Sequence, residues 1–317
     1  MSNVKTFIHG VYPRSTAFVQ TSRDVDRKRK EFSELKEQHK KDFNVLLAEQ
    51  KAAGFDYVED GKLNWQDVFR PIVDATTGME VGPLTRWFDN NSFYRQPIIS
   101  GKVKIDPKKL DRFFSDLPED LWKVTLPSPF HFAKVTDDTT TKSFEKTLAS
   151  ITEIYSDLLV YLAKKKVKFV QFNEPYIPYH KIKKAEIVLL GKSLTQLKKV
   201  KSTIIFAVNG YFGDTTNLVT ALSGNSVIDV LGIDFVHTSL VSLPKKLPHD
   251  IIAGVVEGRN SLIEEKKTIV TFVEKALKHF QPKTLYISNN SDLDLLPESV
   301  AKEKIALLGK IRKEFKK

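Results

Sequence analysis

Six apolar segments of the chain each end in a polar cluster. Residues 168–172 run into Asn173, Glu174 and Pro175, and 203–208 into Asn209, Gly210, Tyr211, Phe212, Gly213 and Asp214. Residues 229–233 end in Asp234, 251–256 in Glu257, Gly258, Arg259 and Asn260, and 284–288 in Asn289, Asn290, Ser291 and Asp292. At the front, 4–9 runs into Gly10, then Tyr12, Pro13 and Arg14. Short apolar runs bounded by polar residues fit buried strands, and chemistry at strand C-terminal ends is how a (β/α)8 barrel builds its site.

Helical periodicity fills the gaps. Phe144, Leu148, Ile151, Tyr155, Leu158 and Leu162 recur at three- and four-residue steps, one face of an amphipathic helix. Further helices are predicted over 183–197, 217–222, 262–280 and 297–315, alternating with strands at 121–126, 168–172, 203–208, 227–233, 250–256 and 284–288. Such alternation implies parallel strands with right-handed crossovers. With 4–9 as the first strand, one more is needed, and 65–69 and 98–103 are both candidates. A long charged helix is predicted over 24–53, with Phe32, Leu35, His39, Phe43, Leu46 and Leu47 as its packing stripe. The expected architecture is α/β: a (β/α)8 TIM barrel with an extended, helix-rich N-terminal region. It forms a single domain over 1–317.

Composition narrows the classes. The 317 residues are 41% hydrophobic and 28% charged, ordinary for a folded globular chain. No apolar run reaches the roughly 18–20 residues of a membrane span, and the N-terminus lacks the apolar core of a signal peptide, so a cytoplasmic chain is expected. Zero cysteines exclude disulfides, thiolate zinc sites and cysteine nucleophiles. Fifty Lys and Arg against 39 Asp and Glu give +11, which raises the odds of a polyanionic partner. The lysines are spread along predicted helices, at 28–41, 164–168, 181–184, 198–201, 245–246 and 302–317, as a solvated outer face would be. Nucleic acid is therefore not the expected partner.

No self-contained catalytic motif is visible. The seven histidines form no His-x-His or His-x-x-x-His pair, and 210–213 is too short for a phosphate cradle. Glu174 reads equally as a functional carboxylate or a loop-closing one. Asn209, Asp234, Glu257 and Asn290 hold equivalent strand-end positions, and their convergence in one mouth would make a polar pocket. The segment 86–97 mixes Trp87, Phe88, Phe93 and Tyr94 with Arg86, Asp89, Asn90 and Arg95. It reads as a packed lid or as a site where an Arg recognises an anion or a partner.

These blocks together resemble the N-terminal half of cobalamin-independent methionine synthase, in a stand-alone archaeal-type form. The matching stretches are Gly10 to Arg14, Thr85 to Asn91, Gln171 to Pro175, Gly210 to Gly213, Gly232 to Asp234 and Gly254 to Asn260. The resemblance implies one barrel of a two-barrel enzyme whose other half holds zinc through His, Cys and Glu and activates homocysteine. Here Val208, Asn209 and Gly210 stand where that half carries His-x-Cys, and Ser291 stands near its second Cys. No cofactor or metal is therefore expected on this chain. The implied role is a non-catalytic accessory barrel of homocysteine S-methyltransferase type, inactive alone. Its partner would be a separate zinc-bearing barrel, and a methyl-tetrahydrofolate-type donor would be shared with it. Arg23 matches the arginine of the family's Arg-Glu-Leu-Lys motif for the donor's glutamate tail, although Asp26 falls at its lysine.

The residues expected at the mouth are Arg14, Arg23, Asp89, Asn90, Arg95, Glu174, Tyr211, Asp234, Glu257, Arg259 and Asn290. The alternative is an autonomous methyltransferase or lyase-type barrel using Glu174, Asp234 and Glu257 as acid–base groups or as ligands of a hard cation.

Overall fold

Strands buried on both faces need no alternation of apolar and polar residues, and those of this chain's second half show none. In the computed structural model, which describes residues 2–114, 121–200 and 203–316, β1 is Asn3–Thr6. Helices α1 (Thr16–Asp26), α2 (Phe32–Ala52) and α3 (Arg70–Asp74) follow. A hairpin of β2 (Thr76–Arg86) and β3 (Phe93–Ile105) comes next. Then come β4 (Lys123–Pro127), α4 (Pro129–Val135), β5 (Asp137–Asp138) and α5 (Phe144–Lys164). From there strands and helices alternate: β6 (Phe169–Glu174), α6 (Tyr176–His180), α7 (Lys184–Val200), β7 (Ile205–Gly210), α8 (Thr216–Leu222) and β8 (Val230–Asp234). The series closes with β9 (Asp250–Val256), α9 (Lys266–Phe280), β10 (Thr284–Asn289) and α10 (Glu298–Glu314). Lys201 and Lys317, counted among the basic groups, lie outside the described residues.

Seven strands form one curled parallel sheet in the order β1-β10-β9-β8-β7-β6-β4. The sequence locates each of them to within three residues. Neither candidate for the eighth strand is part of this sheet. Residues 65–69 form no strand, and 98–103 lie in β3, paired antiparallel with β2. Instead, residues 56–58 stand between the two edge strands. Asp56 N donates to Thr6 O (2.9 Å), Val58 N to Leu121 O (2.8 Å) and Lys123 N to Val58 O (3.2 Å). The segment is too polar and short to show in the hydrophobic pattern.

The predicted helix over 24–53 is likewise corrected. The chain breaks between α1 and α2, where Lys28 takes the left-handed conformation (φ 57°), and Glu31 with Glu34 forms a capping box that restarts the helix. The β2–β3 hairpin, with β5 as a third strand, was not anticipated. β2 is its outer edge and carries a register shift between Val81 and Leu84.

Inside the curl, alternate residues from successive strands stack in layers. The lower layer is Phe7, Phe169, Ala207, Val230, Ile252 and Tyr286, with Tyr57 packed against it. The rings of Phe7, Phe169 and Tyr286 meet at centroid separations of 5.4–5.7 Å, mostly edge to face. Outside the sheet, α5 buries Leu148, Ile151, Tyr155, Leu158 and Leu162. Phe7 is fully buried at the centre of the inner layer. Phe7→Ala should therefore cost about 3–5 kcal/mol in urea denaturation. A loss under about 1 kcal/mol would mean that this layer is not close-packed.

Candidate functional site

Above the aromatic layer the curl is filled by charge. Lys123, inward on β4, is paired with Glu59 in an ion pair whose side chains are 0% and 4% exposed. Thr125 Oγ1 donates to the same carboxylate, Lys123 Nζ donates to Thr125 Oγ1 (3.0 Å), and Gly10 N donates to the other Glu59 oxygen (3.2 Å). Gln50, buried on α2, holds the Glu59 backbone at both groups, accepting at 3.0 Å and donating at 2.8 Å. Lys62 donates to Thr125 O and lies 4.1 Å from the Trp65 ring centroid. Burial draws the Lys123 ammonium down to about 8 against the pull of Glu59, and lowers Lys62 as well.

The next turn outward is neutral and amide-rich. His9 sits with one ring nitrogen 3.4 Å from Asn173 Nδ2 and the other 3.3 Å from Asn209 Nδ2. Burial, with the Lys123 charge, pushes the imidazole to about 3, so it is neutral. The Tyr211 ring lies beside it at a tilt (centroids 5.7 Å, 55°) and its hydroxyl donates to Asp292 Oδ2 (3.1 Å). Asp292 also accepts from Val11 N (2.9 Å). Gly10 is required here: it has φ +84°, and a Cβ would lie 1.9 Å from Asp292 Oδ1.

The expected mouth residues divide by what holds them. Asp234 is fully buried and accepts from His237 Nδ1 (2.8 Å), Asn290 Nδ2 (2.9 Å) and Val236 N (3.1 Å). That carboxylate raises the His237 pKa. Asn290 Oδ1 accepts from Gly258 N (2.9 Å). Glu174 accepts from Ser128 Oγ and from Ile177 N (3.0 Å) at the start of α6, and burial raises it to about 7. Half-buried Glu257 is anchored through its backbone N–H to Glu264 (2.7 Å). Arg259 crosses the mouth to Asp89 (3.1 Å) and lies 5.2 Å from the Phe212 ring. Asn90 is buried in the hairpin tip and accepts from Arg86 Nε (2.8 Å). Arg14 donates to Trp65 O and borders a cavity of about 570 Å³ lined also by Trp65, Trp87, Tyr94, Asp292 and Asp294. Arg95 and Arg23 stand apart, the first exposed on β3 and the second exposed on α1, neither lining that cavity.

The network residues Glu59, Lys62, Lys123, His9 and Asp292 were not singled out from the sequence. Lys123 carried one signal: it is a charge inside an apolar strand, at the inward parity of Thr125. Among the described residues, no three His, Cys, Asp or Glu side chains are grouped to hold a metal ion.

Removing one partner of the Glu59–Lys123 pair leaves a buried charge. Lys123→Met alone should cost about 3–5 kcal/mol in denaturant unfolding, and the Glu59→Gln/Lys123→Met double variant clearly less. Additive losses would show the pair to be uncoupled. For Glu174 the sign runs the other way from an ordinary paired carboxylate. The folded state keeps its proton between about pH 4.5 and 7, where the unfolded state has lost it. This contribution is complete below pH 4.5 and fades as pH rises through about 7. The stability difference between the natural protein and Glu174→Gln should fall by a few kcal/mol across that window, measured by urea titration at each pH. A difference independent of pH would mean that Glu174 ionises normally.

Residues 74–281 match the family described as the cobalamin-independent synthase, N-terminal domain. The chain is 23% identical over 290 residues to methionine synthase of Sulfurisphaera tokodaii, covering 86% of this chain and 82% of that one. It is 23% identical to methionine synthase of Sulfolobus acidocaldarius over 98% of this chain and 93% of that one. Its fold matches the crystal structure of a putative vitamin-B12 independent methionine synthase from Listeria monocytogenes with a TM-score of 0.79. That match covers 99% of both chains at 13% identity.

Proposed function

The chain belongs to the N-terminal domain family of cobalamin-independent methionine synthases, and on that premise we propose that it is the accessory barrel of a split enzyme. In this reading residues 1–317 are one closed (β/α)8 barrel, with 56–58 as its second strand. It acts in the cytoplasm and supports methyl transfer to homocysteine by a separate zinc-bearing barrel. Methyl-tetrahydrofolate or another methyl donor would lie between the two. Among the described residues, no helix is long and apolar enough to cross a membrane.

The observation that carries this reading is the state of the strand-end groups. Asp234, Asn290, Glu174 and Asp292 are each bound by the protein's own donors and acceptors, so they are occupied with holding the mouth rather than free to act on a substrate. Around them, Val236, Val241, Leu262 and Ile263 are exposed on the loops that follow β8 and β9. Four apolar side chains on one rim suit a protein partner. Arg14, at the 570 Å³ cavity, is better situated than Arg23 to meet an anionic part of a methyl donor. One observation favours the alternative, an autonomous enzyme: a carboxyl titrating near 7, as Glu174 does, is suited to acid–base catalysis.

Homocysteine methylation by the purified chain, alone and then with the cysteine-bearing barrel of the same genome, separates the two. Activity only in the mixture, saturating as this chain is added, is the expected result. Leu262→Glu should weaken the complex at least about tenfold without lowering the melting temperature. Turnover by the chain alone, abolished by Glu174→Gln, would replace the accessory reading with the enzymatic one.

A further inference from the structure

Lys62, Lys123 and Lys304 are the buried lysines among the described residues. The first two belong to the charged layer inside the curl. Lys304 lies on α10, where it falls in the stripe of Ala301, Ile305, Leu308 and Ile311 that the helix buries. Its side chain is 0% exposed. The three N–H donors of its ammonium meet three acceptors, all in one short segment: Leu262 O (2.9 Å), Glu264 Oε1 (2.8 Å) and Glu264 Oε2 (3.0 Å). An aliphatic side chain would complete the stripe without desolvating an ammonium, so the packing of α10 does not account for a charge here.

That segment belongs to the loop between β9 and α9, residues 257–265. Besides taking Lys304, the Glu264 carboxylate accepts from Glu257 N (2.7 Å), which draws the two ends of the loop together. Gly258 N donates to Asn290 Oδ1 (2.9 Å), and the chain passes so close to its neighbour that a Cβ on Gly258 would lie 2.3 Å from Asp292 O. At the tip, Asn260 Oδ1 accepts from Leu262 N (3.0 Å), a local turn. Between these anchors Leu262 and Ile263 stand in water. The loop thus displays apolar side chains on a backbone held at both ends.

We propose that Lys304 is a positioning residue, which from the outer helix holds 257–264 as a preformed docking surface for the zinc-bearing partner barrel. This rests on the accessory-barrel reading and adds to it the device that readies the rim. Ordering a loop at the moment of association costs affinity, and a loop already ordered in the free chain has met that cost on folding. The Arg259–Asp89 tie is exposed and weakened by salt, whereas a pair whose ammonium is out of water is screened far less. Through Glu264 the same ammonium also fixes the backbone of Glu257 at the mouth.

The test compares the intact natural chain with Lys304→Met/Glu264→Met, which removes the pair and leaves neither charge unmatched. Amides of 257–264 should exchange with deuterium at least about tenfold faster in the variant, with the rest of the chain unchanged. The melting temperature should fall by no more than about 5 °C, or rise, because replacing a buried pair by apolar groups is often neutral or stabilising. Binding to the cysteine-bearing barrel, measured by titration calorimetry, should weaken at least about tenfold. Asn260→Gly loosens the same loop from its exposed tip and touches neither charge; it should weaken binding about threefold or more at an unchanged melting temperature. If either variant binds as tightly as the natural chain, or the loop of the double variant exchanges no faster, the inference is overturned and the accessory reading stands. A larger fall in melting temperature would overturn it too, because the pair would then be part of the core. A natural chain that does not bind the barrel at all overturns the accessory reading and this inference with it.

Discussion

The buried ion pair of Glu59 and Lys123 is the contact on which the rest of the molecule hangs. It lies inside the curled sheet, directly above the aromatic layer, and joins residues 56–59 to β4. Those residues stand between the first and last strands of the seven-stranded sheet, so the pair links the two edges from within. Burying two charges is costly, and the cost is offset only because every neighbour contributes. Thr125 and Gly10 complete the Glu59 carboxylate, and Gln50 clamps its backbone. Through Gln50 the same centre fixes α2, and through Gly10 it fixes the loop that carries Arg14. Removing the charge from this layer would leave the front end of the chain docked by helix packing and by the backbone hydrogen bonds of residues 56–58.

The polar interior also explains why the mouth is orderly. His9 joins Asn173 and Asn209, its ring lies against that of Tyr211, and Tyr211 donates to Asp292, so these side chains tie one another down between the charged layer and the rim. Such a network leaves little freedom for side chains to reorient around a substrate.

The second half of the fold was legible because buried parallel strands and amphipathic helices write their periods directly into the chain. The resemblance carried the family. The front end was not legible for a physical reason. Residues 56–58 pair with two edge strands by backbone hydrogen bonds while carrying Asp56 and preceding Glu59 and Asp60, so no apolar run marks them. The break at Lys28 follows from backbone conformation, not from composition. Of the site, the strand-end positions Asp234, Asn290 and Tyr211 were found from sequence, because strand ends are visible. Lys62 and Glu59 were missed, since their significance lies in what surrounds them, and surroundings are not local. Arg23 and Arg95 were selected for their charge, and charge alone does not tell an inward arginine from one that points into water.

The register shift in β2 has a bearing on how the protein behaves at high concentration. β2 is an outer edge, and Val81 and Leu84 project into water from it. An edge of this kind can recruit a strand from another molecule and seed fibrous aggregates. Gly82 and Pro83 sit at the shift: the proline has no N–H to offer an incoming strand, and the irregularity spoils the straight ladder that such a strand would need. The hairpin that caps the mouth is thus kept from becoming a template for self-assembly by two residues that contribute nothing to the mouth itself.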